Sequence, residues 1–278
     1  MSEDDDALLP AWSEPFIGDR ADLVRPVRLA EVTRDWAFAG ARGAGVRVAV
    51  IDSGMETDHP ALAGRVVESV SVDLSGEEPE VVPDNAGDLY GHGTACGGII
   101  LGLAPEVELV SVRVLGADLK GKGVAFLAAI EWVLAQGIRV ASLSLSSRSE
   151  ALFPAFHEVV DRAAFGGLSL VCAANNVPGA SYPSLFSSVI SVASHDIADP
   201  ELWFHNPEPP VEFGAWGVDV PVAWKDGGSI VATGNSFATP HMAGHVARLV
   251  GRHPGLTPFE VKAILAATAA DPRVRTGA

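Results

Sequence analysis

Long apolar runs alternate along this chain with stretches in which apolar positions recur at helical spacing. The runs predict strands buried on both faces, at 46–51, 107–115, 140–146, 168–174 and 188–194. Helical patterns occur at 124–136, 151–166, 237–250 and 258–267. Because strands that alternate with helices form a parallel sheet covered by those helices, the pattern predicts an α/β fold.

Four polar residues stand where this pattern changes. Asp52 and Asn176 fall just past the ends of predicted strands, whereas His92 and Ser236 open predicted helices. In open α/β sheets, ligands bind beyond the carboxyl ends of the strands. We therefore expect all four residues to converge on one rim of one domain.

Ser236 lies in the most informative stretch of the chain, TGNSFATPHM at 233–242. A glycine permits a tight turn before the serine and small apolar residues follow it, so the hydroxyl is expected to be exposed at a helix start. Serine is also an ordinary N-cap residue, so this stretch alone is weak evidence. It gains weight from VAVIDSG at 48–54 and GHGT at 91–94, which add an acid and a base upstream.

A serine hydroxyl becomes an effective nucleophile at neutral pH when a neighbouring base takes its proton. His92 is a suitable base, and Asp52 could accept its other N–H and fix the tautomer. Each residue alone also has a structural explanation, since lone histidines usually pack and Asp52 could simply end a strand. Asp58-His59-Pro60 forms a similar pair, but it lies in a predicted turn, and we interpret it as structural.

The order Asp, His, Ser with these local sequences resembles the subtilisin-like serine proteases. The resemblance runs from about residue 21 to about residue 270. It implies a three-layer subtilisin-like fold with a mostly parallel central sheet and helices on both faces. It also implies a serine endopeptidase that hydrolyses peptide bonds through an acyl-enzyme, with Asp52, His92 and Ser236 as its triad. The chain would then consist of an N-terminal extension, 1–20, and a peptidase domain, 21–278.

The resemblance further implies an oxyanion site made by the Ser236 backbone N–H and the Asn176 side chain. The family has AAGN where this chain has AANN at 173–176, so Asn175 replaces a glycine; we favour Asn176 as the donor, with Asn175 as the alternative. Ser146 stands where glycine is usual and predicts a narrower S1 rim. Gly123 replaces a bulkier residue and predicts a wider S4 pocket. The implied substrate contacts are Leu119, Lys120, Gly121, Gly123, Phe126 as the S4 floor, Ser144, Leu145, Ser146, and Asn235, which replaces a threonine.

Composition and charge exclude several other classes of protein. With 278 residues, 48% of them hydrophobic and 19% charged, the chain is predicted to fold around a substantial core. A net charge of −16 argues against nucleic-acid binding, which needs a basic surface. No apolar run approaches the ~18 residues that span a bilayer. The expected partner is a peptide or protein substrate, and the oligomeric state stays open.

The N-terminal sequence and the cysteines indicate a compartment. MSEDDD at 1–6 is acidic where a secretory signal would be basic and then apolar. Cys96 and Cys172 are the only cysteines, and their apolar surroundings favour buried free thiols over a disulfide. We therefore expect a cytoplasmic protein.

Calcium is the one cofactor that the resemblance suggests as a possibility. Many secreted members of the family hold it tightly with an acidic residue after a His-Pro dipeptide and a loop inserted in the helix after the catalytic histidine. Here Ala61 follows His59-Pro60, and the apolar run GIILGLAP at 98–105 has no inserted loop. Calcium needs six to eight oxygen ligands, which an apolar run does not supply. We expect no cofactor and no tight calcium site, although the pattern leaves room for a weak surface site.

Two other functions fit the same residues. A dedicated precursor-processing protease or a transpeptidase, which forms ligated or cyclic products, would use the same triad. A non-catalytic peptide-binding relative is the alternative from another class, and the complete set of site residues argues against it. For the extension, LLPAW at 8–12 favours a segment that lies across the active site, while a disordered acidic tail explains the same composition.

Overall fold

The computed structural model describes Ser13, Phe16 and residues 29–208 and 210–271. The predicted extension, 1–20, lies outside the described residues except for Ser13 and Phe16, and so do 272–278 at the end of the predicted domain. Within the described part of the chain, no helix is both long and apolar enough to cross a bilayer.

The strands are β1 (Arg47–Asp52), β2 (Val66–Asp73), β3 (Glu80–Pro83), β4 (Glu108–Arg113), β5 (Val140–Leu143), β6 (Ser169–Ala173), β7 (Ile190–His195), β8 (Trp203–His205), β9 (Phe213–Trp216), β10 (Val220–Trp224) and β11 (Gly228–Ala232). The α-helices are α1 (Arg34–Phe38), α2 (His92–Leu103), α3 (Gly123–Ala135), α4 (Phe153–Phe165), α5 (Asn235–Arg252) and α6 (Pro258–Ala267). Short 3₁₀ turns occur at Leu29–Glu31, Pro60–Leu62 and Glu150–Leu152.

Nine strands form one sheet in the order β3-β2-β4-β1-β5-β6-β7-β9-β8. All the inner pairs run parallel, and only the edge strands β3 and β8 are antiparallel to their neighbours. Strands β10 and β11 form a separate antiparallel hairpin. The α/β prediction with a mostly parallel sheet is therefore confirmed.

Helices cover both faces of the sheet, as the side chains of β1 show. Val48 and Val50 pack in one core cluster with residues of α2, α5 and α6. Ala49 and Ile51 point to the opposite face and pack in a second cluster with residues of α3 and α4. Alternate residues of one strand thus belong to different layers, which gives the three-layer arrangement.

The structure differs from the sequence pattern at the periphery. Strand β5 ends at Leu143, three residues before the predicted boundary, because the chain there leaves the sheet to border a cleft. Strands β2, β3, β8, β9, β10 and β11 were not predicted. Strands β2, β3 and β11 are largely half-buried or exposed, so their sequences lack the continuous apolar runs that mark the central strands.

Candidate active site

Asp52 is the last residue of β1, in the middle of the sheet. Its side chain is fully buried, and the backbone N–H of Ser53 donates to Oδ1 over 2.7 Å. The Asp52 carbonyl oxygen accepts from the N–H groups of Val114 and Leu115, at 2.9 and 3.1 Å. The carboxylate is therefore held rigidly at the carboxyl end of a central strand, as expected from the sequence.

His92 is the first residue of α2, and both of its ring nitrogens have partners. Nδ1–H donates to the Asp52 carboxylate, with distances of 2.8 Å to Oδ1 and 2.9 Å to Oδ2. Nε2 lies 2.9 Å from the Ser236 Oγ, so in the neutral ring with its proton on Nδ1 it accepts from the hydroxyl. A continuous hydrogen-bonded chain of acid, imidazole and hydroxyl thus joins residues that lie 40 and 144 positions apart in the sequence.

The turn before His92 requires glycine. Gly91 has φ of 117°, a left-handed conformation that side chains rarely adopt, and a methyl group there would lie 2.6 Å from the Trp224 ring. Trp224 itself packs edge-on against Tyr90, with ring centroids 5.5 Å apart. The glycine lets this aromatic pair cover the loop that presents His92.

Asp88 organises the same loop, and sequence reasoning missed it. Its Oδ1 accepts from the Ser53 hydroxyl at 2.8 Å and from the N–H groups of Tyr90 and Gly91 at 3.0 and 2.7 Å. Its Oδ2 accepts from the Thr94 N–H at 2.8 Å and the Thr94 hydroxyl at 2.6 Å. An acidic residue just before a helix start was the available signal, because carboxylates favour helix N-termini.

The electrostatics of the His92 site are set by Asp52. Burial by itself lowers the pKa of His92, but the Asp52 carboxylate raises it, and the pKa stands well above the ordinary value. Cys96 lies beneath the pair, with Sγ 3.8 Å from Asp52 Oδ2. Burial raises the pKa of Cys96, so its thiol is neutral and Asp52 is the anion that acts on the imidazole.

Ser236 and Asn176 face one another across Gly234. A methyl group on Gly234 would lie 3.4 Å from Ser236 Oγ and 3.5 Å from Asn176 Nδ2, so any side chain there would fill the space between them. Asn176 Oδ1 accepts the Asn235 backbone N–H over 2.9 Å, which leaves Nδ2 free to face the cleft. The Asn175 amide is directed elsewhere, towards Ser146 at 3.4 Å, which favours Asn176 over Asn175 as the donor.

Asn235 differs from its prediction as a substrate contact. Its Oδ1 accepts the Ser194 N–H over 2.9 Å, and its Nδ2 donates to the carbonyl oxygens of Ala174 and Asn175 at 3.1 and 3.3 Å. The side chain therefore ties the end of β7 and the loop after β6 to the start of α5. These backbone groups occupy both ends of the amide, and Asn235 is not among the residues that line the cleft described below.

A cleft of about 240 Å³ contains His92 and Ser236. Of the predicted substrate contacts, those that line it are Leu119, Ser144, Leu145 and Ser146. The Lys120 side chain is 83% exposed and pairs with Asp118 over 3.2 Å. Gly121 packs against Phe126, and a methyl group on it would lie 2.7 Å from that ring.

At Gly123, where the sequence predicted a wider S4 pocket, the structure places the Leu152 side chain beside the glycine. A methyl group on Gly123 would overlap the side chain of Leu152, which fills that side of the glycine. Phe126, expected as the pocket floor, is buried in the core cluster of α3 and α4. The space gained by the small residue is therefore taken up by a neighbour from the 3₁₀ turn at Glu150–Leu152.

Asp52, His92 and Cys96 are also the one cluster of three potential metal ligands among the described residues, with ligand atoms within 4.8 Å of one another. The Asp52 and His92 groups are already hydrogen-bonded to each other, and the Cys96 thiol is neutral. We therefore interpret Asp52 and His92 as parts of the hydrogen-bonded chain to Ser236 and not as metal ligands. Helix α2 runs unbroken from His92 to Leu103, through most of the apolar run at 98–105.

Sequence comparisons place this chain in a known family. The model of the subtilase family, peptidase S8, matches residues 43–277. Subtilisin DY of Bacillus licheniformis is 31% identical over 245 residues, which cover 83% of this chain and 85% of that protein. The major intracellular serine protease of Bacillus subtilis (strain 168) is 29% identical over 260 residues, covering 86% of this chain and 79% of that protein.

A solved structure gives the same result. A cold adapted subtilisin-like serine proteinase aligns with a TM-score of 0.70 at 29% identity, covering 86% of this chain and 87% of the other. The chain belongs to the subtilase family and has the subtilisin-like fold.

Proposed function

We propose that this protein is a serine endopeptidase that hydrolyses peptide bonds through an acyl-enzyme. Ser236 is the nucleophile, His92 the general base and then the general acid, and Asp52 the residue that orients the imidazole. The observation that carries the proposal is the hydrogen-bonded chain from Asp52 through His92 to Ser236, with links of 2.8 and 2.9 Å. Family membership supports it, since two of the three proteins compared are named a serine protease and a serine proteinase.

The proton path follows from this arrangement. As Ser236 Oγ bonds to the scissile carbonyl carbon, its proton passes to His92 Nε2 and the carbonyl π electrons move to oxygen. When the C–N bond breaks, His92 returns that proton to the leaving amine and the acyl-enzyme remains. Water then attacks the acyl carbon and gives a proton to His92 Nε2. When the bond to Ser236 Oγ breaks, His92 returns that proton to the serine and the carboxylic acid product leaves. Throughout, Asp52 accepts Nδ1–H and stabilises the transient imidazolium.

The negative oxygen of the tetrahedral intermediate requires donors that are already in place. The Asn176 Nδ2 group supplies one, because its own oxygen is held by the Asn235 N–H and its nitrogen faces Gly234 and Ser236. The Ser236 backbone N–H, at the start of α5, supplies the second. Donors oriented before the reaction lower the barrier most, since they need no reorganisation as charge develops.

The test is to label and assay wild-type protein beside Ser236→Ala. A serine-directed fluorophosphonate should label the wild type at Ser236, and labelling should be lost in His92→Ala. Mass spectrometry of a diverse peptide library should show cleavage products that Ser236→Ala does not form. Absence of both labelling and cleavage would favour a peptide-binding protein, and recovery of ligated or cyclic products in place of hydrolysed ones would identify a transpeptidase.

We also propose that the protein acts in the cytoplasm. One relative at 29% identity is an intracellular serine protease, and Cys96 and Cys172 are both buried free thiols. Burial raises the pKa of Cys172 as well, so neither thiol is prepared for oxidation. Fractionation of the source cells, followed by immunodetection, tests this: the protein should appear with cytoplasmic markers, and recovery from the medium would contradict the proposal.

A further inference from the structure

The cleft beside Ser236 lies between two segments that leave neighbouring strands. Strands β5 and β6 are paired in parallel as far as Leu143 and Cys172. Beyond that pair the chain continues as residues 144–146 on one side and 174–176 on the other, and both segments line the cleft of about 240 Å³. The site is thus a gap opened where two adjacent parallel strands end.

This gap must receive the side chain of the residue whose carbonyl is attacked. The reacting carbon has to approach within ~3–3.5 Å of Ser236 Oγ, with its oxygen directed to Asn176. Ser236 and Asn176 line the same cleft as the two segments. The residue on the acyl side of the scissile bond therefore places its side chain between 144–146 and 174–176.

A polar contact spans that gap. Asn175 Nδ2 donates to Ser146 Oγ over 3.4 Å, and both residues are half-buried. Each stands where the family resemblance predicts a glycine, which would leave the position open. The two side chains together form a bar across the cleft, which we call the Ser146–Asn175 bar.

Both ends of the bar are anchored. Asn175 Oδ1 accepts the Val177 N–H over 2.9 Å, so the amide cannot turn away without losing that bond. Ser147, next to Ser146, exchanges two backbone hydrogen bonds of 2.8 Å with Tyr182. A large side chain entering the gap would have to break the Ser146–Asn175 contact and then displace an anchored segment.

The lining also lacks charge. No Asp, Glu, Lys or Arg is among the described residues that border the cleft, and His92 is its sole titratable group. A charged side chain entering this gap would lose water without gaining an ionic partner, which is costly. Size and charge therefore restrict the same position.

We propose that the Ser146–Asn175 bar determines specificity by admitting small uncharged residues, namely Gly, Ala or Ser, on the acyl side of the scissile bond. This inference rests on the proposed peptidase function. A steric limit of this kind discriminates by roughly 10–200-fold for each methylene group. Discrimination between Ala and Phe at this position should therefore be large in the wild type.

The test uses two chromogenic peptides that are identical except for Ala or Phe before the cleaved bond. Wild type should have a kcat/KM for Ala at least roughly 10-fold above that for Phe. In Ser146→Gly/Asn175→Gly the ratio of the kcat/KM for Phe to the kcat/KM for Ala should rise at least roughly 10-fold, mainly through a lower KM for Phe. Ser149→Gly, an exposed position in the same loop, is the control for added backbone flexibility and should leave the ratio unchanged.

A measurement on the unmodified protein covers the case in which the double variant does not fold. Cleavage sites in a peptide library should then show Gly, Ala or Ser before the cut. Frequent cleavage after Phe or Leu by wild type would overturn the proposed role of the Ser146–Asn175 bar. An unaltered Phe-to-Ala ratio of kcat/KM in a folded double variant would do the same. Neither result would contradict the proposed peptidase function. If wild type shows neither turnover nor fluorophosphonate labelling, both the peptidase function and the specificity role of the Ser146–Asn175 bar are overturned.

Discussion

The backbone N–H of Asn235 donates to Asn176 Oδ1 over 2.9 Å, and this bond fixes which end of the Asn176 amide faces Ser236. The Asn235 side chain strengthens the same junction by holding Ser194, Ala174 and Asn175 through their backbone groups. The residue before the proposed nucleophile thus positions the proposed oxyanion donor.

Asn235→Asp should therefore lower kcat. A carboxylate can still accept from the Ser194 N–H, but it cannot donate to the carbonyls of Ala174 and Asn175, which it would repel. Removing an oxyanion donor outright costs roughly 10²–10³-fold in kcat in a subtilisin, so a displaced donor should cost roughly 10-fold. Steady-state kinetics should show the loss in kcat with KM little changed.

Asn206→Asp is the matched control for that variant. Asn206 also donates to two carbonyls, of Glu208 and Val211, and accepts one N–H, but it lies on an exposed connection away from the cleft. Because Asn206 is exposed and Asn235 is half-buried, Asn206→Asp should lower stability less than Asn235→Asp and should leave kcat unchanged. Equal effects of both substitutions on kcat would show that Asn235 has no positioning role.

Asp88→Asn should lower both stability and kcat. The amide keeps one accepting oxygen, and its NH₂ group faces either the donors to Oδ1, which include the Gly91 N–H, or the donors to Oδ2, which include the Thr94 N–H. Unsatisfied buried donors cost about 1–3 kcal/mol, and the shift of the helix start moves His92. Asp84→Asn serves as the control because Asp84 lies in the same segment but binds Arg113 at 2.8 and 3.0 Å. A kcat loss no greater than that of the control would contradict the role of Asp88.

Activity should depend on the unprotonated form of His92. Because Asp52 holds the pKa of His92 well above 6.5, kcat/KM should fall as pH decreases through a value above 6.5. In Asp52→Asn the residual activity should be lower by on the order of 10⁴-fold, and its acidic limb should move to lower pH. A pH profile of both proteins checks this, and an unchanged limb in Asp52→Asn would rule out Asp52 as the cause.

Acidification should destabilise the fold through two buried histidines. Burial lowers the pKa of His245 to about 3 and that of His241 to about 4. Between these values and about 6.5 the unfolded chain binds protons that the folded chain does not, so stability is lost as pH falls through that window, by about 1.4 kcal/mol per pH unit for each group. Protonated His245 would also be repelled by the positive charges of Arg34 and Arg248.

His245→Gln isolates this effect. The amide can still donate to the Pro200 carbonyl, which His245 Nε2 contacts at 2.9 Å, but it does not titrate. Denaturant unfolding should give a shallower loss of stability between pH 6 and 4 than in wild type or in the exposed control His205→Gln. If stability falls with pH at the same rate in all three proteins, His245 does not cause the loss of stability.

Calcium removal should change the melting temperature little. Ala61 stands in the 3₁₀ turn Pro60–Leu62, and α2 passes from His92 to Leu103 without an inserted loop. A tight site would add about 2.7 kcal/mol at a calcium concentration 100 times its Kd. We expect the Tm in excess EDTA to match the Tm in millimolar calcium. A large rise with calcium would reveal a site elsewhere in the chain.

The sequence by itself determined the central architecture and the residues that meet at its rim. Buried parallel strands and amphipathic helices have strong local patterns, so β1 and the position of Asp52 at its end were predictable. The helix starts near His92 and Ser236 were equally local, since α2 begins directly after Gly91 and α5 directly after Gly234. Because the carboxyl ends of parallel strands share one edge, their convergence followed.

Only the tertiary structure decided how individual side chains are used within that frame. Asn235 could face the cleft or the protein, and the choice depends on unpaired backbone groups near Ala174 and Ser194, which are distant in sequence. The bar between Ser146 and Asn175 likewise requires two residues that are 29 positions apart, each just past a strand end, to lie side by side. Periodicity records which face of an element is buried, but hydrogen-bond partners depend on distances and angles that arise only when the elements pack.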